Sequence, residues 1–280
     1  MGMSDSAKIS LYPASCLQRA VFRICISLLG IFALTLLACY GISRYISKIA
    51  IRPVQQAMER EKQFVADVSH DLKTPLAVMQ ACHHILLENP EASIQDVRPW
   101  LDRSNAAMEN MKGLIDDMLT LSSMDSQKKL QKRETVSLSS IVTKAVLQME
   151  PMAYDREIEL DSEIQENITM QSDSEALLRM VSGLLENALK YEPADGHILV
   201  TLKAQGKQKL LRVQNKGSVI APEDLPHIFE RFYRADKSRT AEKGHGLGLA
   251  IIKRTAELAG GSIQVESNAE IGTVFTVTLE

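Results

Sequence analysis

Residues 24–43 read ICISLLGIFALTLLACYGIS, twenty positions without a formal charge on any face. At about 1.5 Å of rise per residue they predict a helix about 30 Å long, which matches a bilayer's hydrocarbon core. A secretory signal ending near Leu36-Leu37-Ala38-Cys39 and a buried core helix are the alternatives; uninterrupted apolarity favours the spanning helix. After Pro53 the pattern changes: Val65, Val68, Leu72, Pro75, Met79, Cys82 and Leu86 alternate steps of three and four, a seam that faces other helices. A turn at Glu88-Asn89-Pro90-Glu91-Ala92-Ser93 leads to a second run through Leu101, Met108, Met111, Ile115 and Met118. Two such helices make an antiparallel hairpin, and a hairpin alone cannot bury both apolar faces, so a dimeric four-helix bundle is expected. The polar stretch 122–132 reads as a linker.

Beyond about residue 135 the periodicity mixes. Residues 137–149 predict an amphipathic helix stopped by Pro151, and residues 174–191 a strong helix. Short strands are expected at 158–160, 168–170, 198–202 and 210–213, and a strand pair at 261–265 and 273–279. The expectation is an α/β sandwich with helices on one face of a largely antiparallel sheet.

Composition narrows the classes. In 280 residues, 45% are apolar and 24% charged, the ordinary globular range, and Lys plus Arg at 32 against Asp plus Glu at 35 leave a net −3. No basic surplus supports direct nucleic-acid binding, and four cysteines are too few for a disulfide scaffold. Arg44, Lys48, Arg52, Arg60 and Lys62 outnumber Lys8, Arg19 and Arg23 around the apolar segment, which places the C-terminal bulk in the cytoplasm. The residues before the span are too few for a sensor domain with its own core. A signal is therefore expected through the membrane helix itself or from another membrane protein.

Two segments carry candidate chemistry. With Val68 and Leu72 on the seam, His70 of Ser69-His70-Asp71-Leu72-Lys73-Thr74-Pro75 points to solvent. A neutral imidazole nitrogen is a nucleophile near pH 7, and an adjacent carboxylate fixes its tautomer. Pro75 kinks the helix beside it. The second segment is Gly244-His245-Gly246-Leu247-Gly248-Leu249-Ala250-Ile251-Ile252, three alternating glycines before an apolar helix, which offer backbone N–H groups to an anion. It is neither a Walker loop nor a dinucleotide fingerprint. Cys82-His83-His84 is not a metal set, because consecutive helical residues point apart. Met108, Met111 and Met118 read as core.

These segments carry a resemblance. Phe64-Val65-Ala66-Asp67-Val68-Ser69-His70-Asp71-Leu72-Lys73-Thr74-Pro75-Leu76 resembles the H box of bacterial two-component sensor histidine kinases. Leu184-Leu185-Glu186-Asn187-Ala188-Leu189-Lys190-Tyr191 resembles their N box, and Asp224-Leu225-Pro226-His227-Ile228-Phe229-Glu230-Arg231-Phe232-Tyr233-Arg234 their F box. The resemblance implies a multidomain membrane protein with a transmembrane helix, a helical hairpin forming a dimeric four-helix bundle, and an α/β sandwich ATP-binding domain of the Bergerat fold. His70 would be the phosphoacceptor, Asp71 its assisting base, and Thr74 the residue that positions water in dephosphorylation. ATP and Mg²⁺ are the implied cofactors, with Asn187 as metal ligand. The nucleotide would be held by Asn187, Lys190, Tyr191, Asn215, Gly217, Ile220, Phe229, Arg231, Phe232, Arg234, Gly244, His245, Gly246, Leu247, Gly248, Leu249 and Thr273. Arg231, Arg234 and Lys237 would offer charge to its phosphates.

The implied partners are a second copy, membrane lipid and a response regulator whose Asp takes the phosphoryl group. The implied division is a short N-terminal segment (1–23), a transmembrane helix (24–43), a juxtamembrane helix (44–60), a dimerisation and phosphotransfer domain (61–125), a linker (126–136) and a catalytic domain (137–280). Three positions depart from the family pattern. Asn215 stands where the family has an Asp that accepts from the adenine amino group, an uncharged exchange that weakens the bond by about 1 kcal/mol. Val219 stands for a glycine, and Gly183 for an Asn. These departures motivate alternatives in which the chain is a kinase-inactive scaffold or acts mainly as a phosphatase.

Overall fold

A computed structural model describes residues 14–89, 91–125, 127, 130, 133–217, 219–235 and 245–280. The chain divides into two units, residues 1–65 and 66–280. In the first, α1 (Ala14–Ile46) runs through a π-helical turn (Ser47–Ile51) into α2 (Arg52–Glu88). The stretch Gln18–Ile49 has a mean hydropathy of 2.3 and none of it is buried, so the buried-core alternative has no support. Among the described residues this is the one helix long and apolar enough to cross a membrane.

The second unit opens with the rest of α2 and with α3 (Ile94–Asp125). Ser93 and Asp96 close the N-terminus of α3 reciprocally: Ser93 Oγ donates to the Asp96 carboxylate at 2.6 Å and accepts from the Asp96 N–H at 3.3 Å. On α2 the seam is visible, with Pro75 and Cys82 buried and Leu72, Met79 and Leu86 half-buried, but Val65 is exposed. On α3, Met111 and Met118 of the expected stripe are half-buried, whereas Leu101, Met108 and Ile115 are exposed in the single chain; Ala107, Leu114, Leu121 and Met124 are buried within the protomer. Both stripes recur every seven residues, so periodicity cannot tell which one meets a neighbour inside the protomer. Leu114 and Leu121 do, because they pack against Leu247, Ala250 and Ile251 of the following domain.

That domain contains β1 (Glu134–Ser137), α4 (Leu138–Asp155), β2 (Glu159–Ile164), β3 (Thr169–Ser172), α5 (Ser174–Tyr191), β4 (His197–Gln205), β5 (Gln208–Asn215), α6 (Gly248–Leu258), β6 (Ser262–Asn268) and β7 (Gly272–Leu279). β1 and β3 pair as a small antiparallel ribbon; the main sheet has the order β2-β4-β5-β7-β6, parallel only between β2 and β4. Strand β1 escaped the sequence pattern because its four residues bury only Val136. Helix α4 does not stop at Pro151 but continues to Asp155. The carbonyl that Pro151 leaves without a partner belongs to Leu147, which is exposed and can be hydrated. Asp173 caps α5 by accepting from the N–H groups of Glu175 and Ala176.

The core lies between sheet and helices: Val142, Leu177, Leu184 and Leu185 meet Ile198, Val200, Leu211 and Phe275. At the register where Asn215 faces both Ile198 and Thr273, three strand ends meet. The candidate site sits at that end.

Candidate functional site

A cleft of about 530 Å³ opens there, between the C-terminal half of α5, the end of β5, the start of β7 and the N-terminus of α6. Helix α5 presents Asn187, Lys190 and Tyr191 to it. Thr273 and Ile220 are held in place by Ser267, whose Oγ accepts the Ile220 N–H at 2.9 Å and shares a hydroxyl–hydroxyl hydrogen bond with Thr273 Oγ1 at 2.7 Å. Gly246 and Gly248 bring the α6 N-terminus to the cleft, where unpaired N–H groups and the helix dipole favour an anion. Gly246 is obligatory: its φ is +71°, and a Cβ would press on the backbone of Phe232 and Tyr233.

His70 lies on α2 with its side chain 81% exposed. Its Nδ1 is 3.2 Å from Asp71 Oδ1, and because a carboxylate only accepts, Nδ1 carries the hydrogen. The lone pair is then on Nε2. One turn on, Thr74 Oγ1 donates to the His70 carbonyl at 3.5 Å. The other Asp71 oxygen lies 3.9 Å from Nδ1 of His245. His245 Nε2 donates to the Asn110 carbonyl of α3 at 3.2 Å, so one imidazole of the glycine segment spans both hairpin helices. Further contacts hold the two domains: Arg231 donates to Asp125 at 2.6 Å, and Arg254 donates to the carbonyls of Met124 (3.1 Å) and Gln127 (2.7 Å) at the end of α3.

Residues 60–127 match the His Kinase A (phospho-acceptor) domain family, and residues 172–280 the histidine kinase-, DNA gyrase B- and HSP90-like ATPase family. The sensor protein CiaH of Streptococcus pneumoniae is 33% identical over 238 residues, which cover 85% of this chain and 53% of CiaH. The sensor-like histidine kinase SenX3 of Mycobacterium tuberculosis is 31% identical over 219 residues, 78% of this chain and 53% of SenX3. The chain belongs to the sensor histidine kinases. It spans about half the length of these curated relatives. The histidine kinase ThkA, in a crystal structure with the response regulator protein TrrA, shares the fold at a TM-score of 0.65 and 18% identity, over 84% of this chain and 65% of that one.

Of the residues expected to hold a nucleotide, the chain lines its cleft with Asn187, Lys190, Tyr191, Asn215, Ile220, Arg234, His245, Gly246, Gly248, Leu249 and Thr273. Others stand behind it. Phe229 meets Phe275 edge-on with 6.3 Å between ring centres, and Gly217 is tied to Glu192. Leu247 is fully buried against α3, and Phe232 packs beside it. Arg231 is committed to Asp125 rather than to the cleft. Gly244 and Lys237 lie outside the described residues.

Sequence reasoning missed Asp117, Glu186, Tyr233 and Phe275 as lining residues. Asp117 reaches the cleft from α3, and nothing in its local sequence announces a docking of distant segments. Tyr233 donates its hydroxyl to Asp224 at 2.5 Å, and this bond, with burial behind it, pushes the phenol up to about 12.

Burial in the cleft raises the Asp117 carboxyl, with His245 opposing and the Asp116 charge adding to the rise. Glu186 is raised by burial as well and then by the Asp117 charge. A carboxyl that titrates higher in the folded than in the unfolded state disfavours folding once ionised, so this contribution improves as pH falls from neutral toward the ordinary value of 3.8. Asp117→Asn is therefore expected to raise the melting temperature at pH 7. The gain should fade toward pH 4 in melts recorded across that range.

Proposed function

We propose that this chain is a membrane-anchored, dimeric protein-histidine kinase that transfers the γ-phosphoryl group of ATP to His70 and from there to an Asp of a response regulator. The observation that supports the reading is the approach of the His70–Asp71 pair to the cleft, with Asp71 Oδ2 3.9 Å from Nδ1 of His245, a residue of the cleft lining. Residues 24–43 cross the bilayer, with lipid around them and the C-terminal side in the cytoplasm, and 44–60 continue to the hairpin. Residues 61–125 dimerise, with the exposed Leu101, Met108 and Ile115 stripe covered by the second copy. Residues 126–136 link to the catalytic domain of 137–280. The stimulus arrives through the membrane helix itself or from another membrane protein.

The adenine edge meets Asn215 and Thr273, while Lys190, Arg234 and the α6 N-terminus take the triphosphate. Mg²⁺ fits the oxygen donors of this cleft, with the Asn187 side-chain carbonyl as its protein ligand and Glu186 nearby; when bound with the nucleotide it offsets phosphate charge. His70 Nε2 attacks the γ-phosphorus, the bond to the ADP oxygen breaks, and Asp71 holds the Nδ1 hydrogen and stabilises the cationic phosphoimidazole. The receiver Asp carboxylate then attacks that phosphorus and returns neutral His70. Thr74, one turn from His70, would orient water in a second activity, hydrolysis of the phosphorylated regulator.

The full chain in detergent micelles, incubated with Mg²⁺ and γ-labelled ATP, is expected to acquire an acid-labile, alkali-stable label that passes to a receiver domain. ATP binding without any label would favour the scaffold reading instead.

A further inference from the structure

Asn215 is 3% exposed, closes β5 and lines the cleft. Its side-chain nitrogen is buried and has no hydrogen-bond partner among the described residues. Buried donors are almost always paired, and the residue that carries this one lines the cleft. The position is rigid. Strand pairing holds Asn215 against Ile198 and Thr273, and two residues on, the Gly217 N–H donates to Glu192 Oε2 at 2.7 Å. Glu192 is itself buried, and its other oxygen takes the His197 N–H at 2.9 Å. A Cβ at Gly217 would overlap the Tyr191 carbonyl, so the loop cannot shift inward. The backbone at Asn215 is thus fixed, while no protein partner among the described residues engages the amide nitrogen.

Building on the reading that a purine nucleotide binds here, we propose that Asn215 reads the base through both amide atoms, so that the cleft takes 6-oxopurine nucleoside triphosphates as well as ATP. Adenine presents an N6–H donor beside the N1 acceptor, and the amide answers with Oδ1 and Nδ2. Hypoxanthine reverses the order, an O6 acceptor beside an N1–H donor, and a half-turn of the amide answers it equally well. No protein hydrogen bond on Nδ2 opposes that half-turn. A carboxylate at this position would have only acceptors and would repel O6, so it would select adenine. Asn215 therefore sets the breadth of base recognition.

Isothermal titration of the full chain in detergent with Mg²⁺ and ATP, inosine triphosphate or 1-deaza-ATP tests this. For the unmodified chain, inosine triphosphate is expected to bind within about tenfold of ATP, and 1-deaza-ATP, which lacks the N1 acceptor, about fivefold or more weaker than ATP. In Asn215→Asp the penalty for inosine triphosphate relative to ATP should grow by about tenfold or more. Rejection of inosine triphosphate by more than tenfold in the unmodified chain, or equal binding of 1-deaza-ATP and ATP, overturns the inference and leaves the kinase reading intact. If ATP itself does not bind, both fall together. The unmodified chain decides the matter even if Asn215→Asp fails to fold.

Discussion

His70→Gln is expected to abolish the acid-labile label while leaving the affinity for ATP within about twofold. Glutamine keeps a polar side chain of similar reach but offers no basic nitrogen, so no phosphoryl bond can form at this position. The structural cost is small, because the His70 side chain is 81% exposed and its one described side-chain partner is its neighbour Asp71. Substitutions at such sites usually change stability by no more than about 0.5 kcal/mol. Phosphor imaging of the labelled chain, beside a titration of the same preparation with ATP, separates lost chemistry from lost binding. Label surviving in the variant would move the acceptor elsewhere. Asp71→Asn would act through the same imidazole: it keeps an acceptor for the Nδ1 hydrogen but removes the negative charge, so label is expected to form more slowly and not to vanish.

Phe275→Ala is expected to destabilise the catalytic domain by about 3–5 kcal/mol, the range for emptying a fully buried aromatic site. Phe275 is 1% exposed, faces Phe229 edge-on and also forms part of the cleft wall. Its loss would hollow the core behind the cleft wall and free Phe229, which packs against the same core. In a domain of this size the change corresponds to a fall in melting temperature of roughly 6–20 °C. Denaturant and thermal melts measure it directly. Added ATP should recover part of the loss if the folded cleft still binds, because a ligand of the native state raises apparent stability. A change under about 1 kcal/mol would mean that the core closes around the gap.

What the sequence disclosed follows a physical division. Contacts set by one helix were readable: Asn187, Lys190 and Tyr191 share the C-terminal half of α5 and reach the cleft together, and His70 with Asp71 needs only adjacent positions. Contacts between distant segments were not. Asp117 joins the cleft only because α3 docks on α6, and Arg231 was read toward phosphate although Asp125, 106 positions earlier, holds it. The exposed stripe of Leu101, Met108 and Ile115 shows the same blindness, since periodicity reports an apolar face without naming what covers it. Pro151 does not stop α4, because the cost of proline inside a helix depends on whether the orphaned carbonyl reaches water.

Arg254 has a mechanical consequence. Its guanidinium rests on the Met124 and Gln127 carbonyls, so the last turn of α3 owes its closure to a side chain of the domain it tethers. If that grip, the Arg231–Asp125 pair and the packing of Met124 were released together, the four terminal residues of α3 would be free to unwind. Extended chain covers about 3.3 Å per residue against about 1.5 Å in a helix, so the leash would lengthen by roughly 7 Å. Undocking would then create its own slack: the catalytic domain gains range at the moment it lets go, and rewinding the turn reels it back.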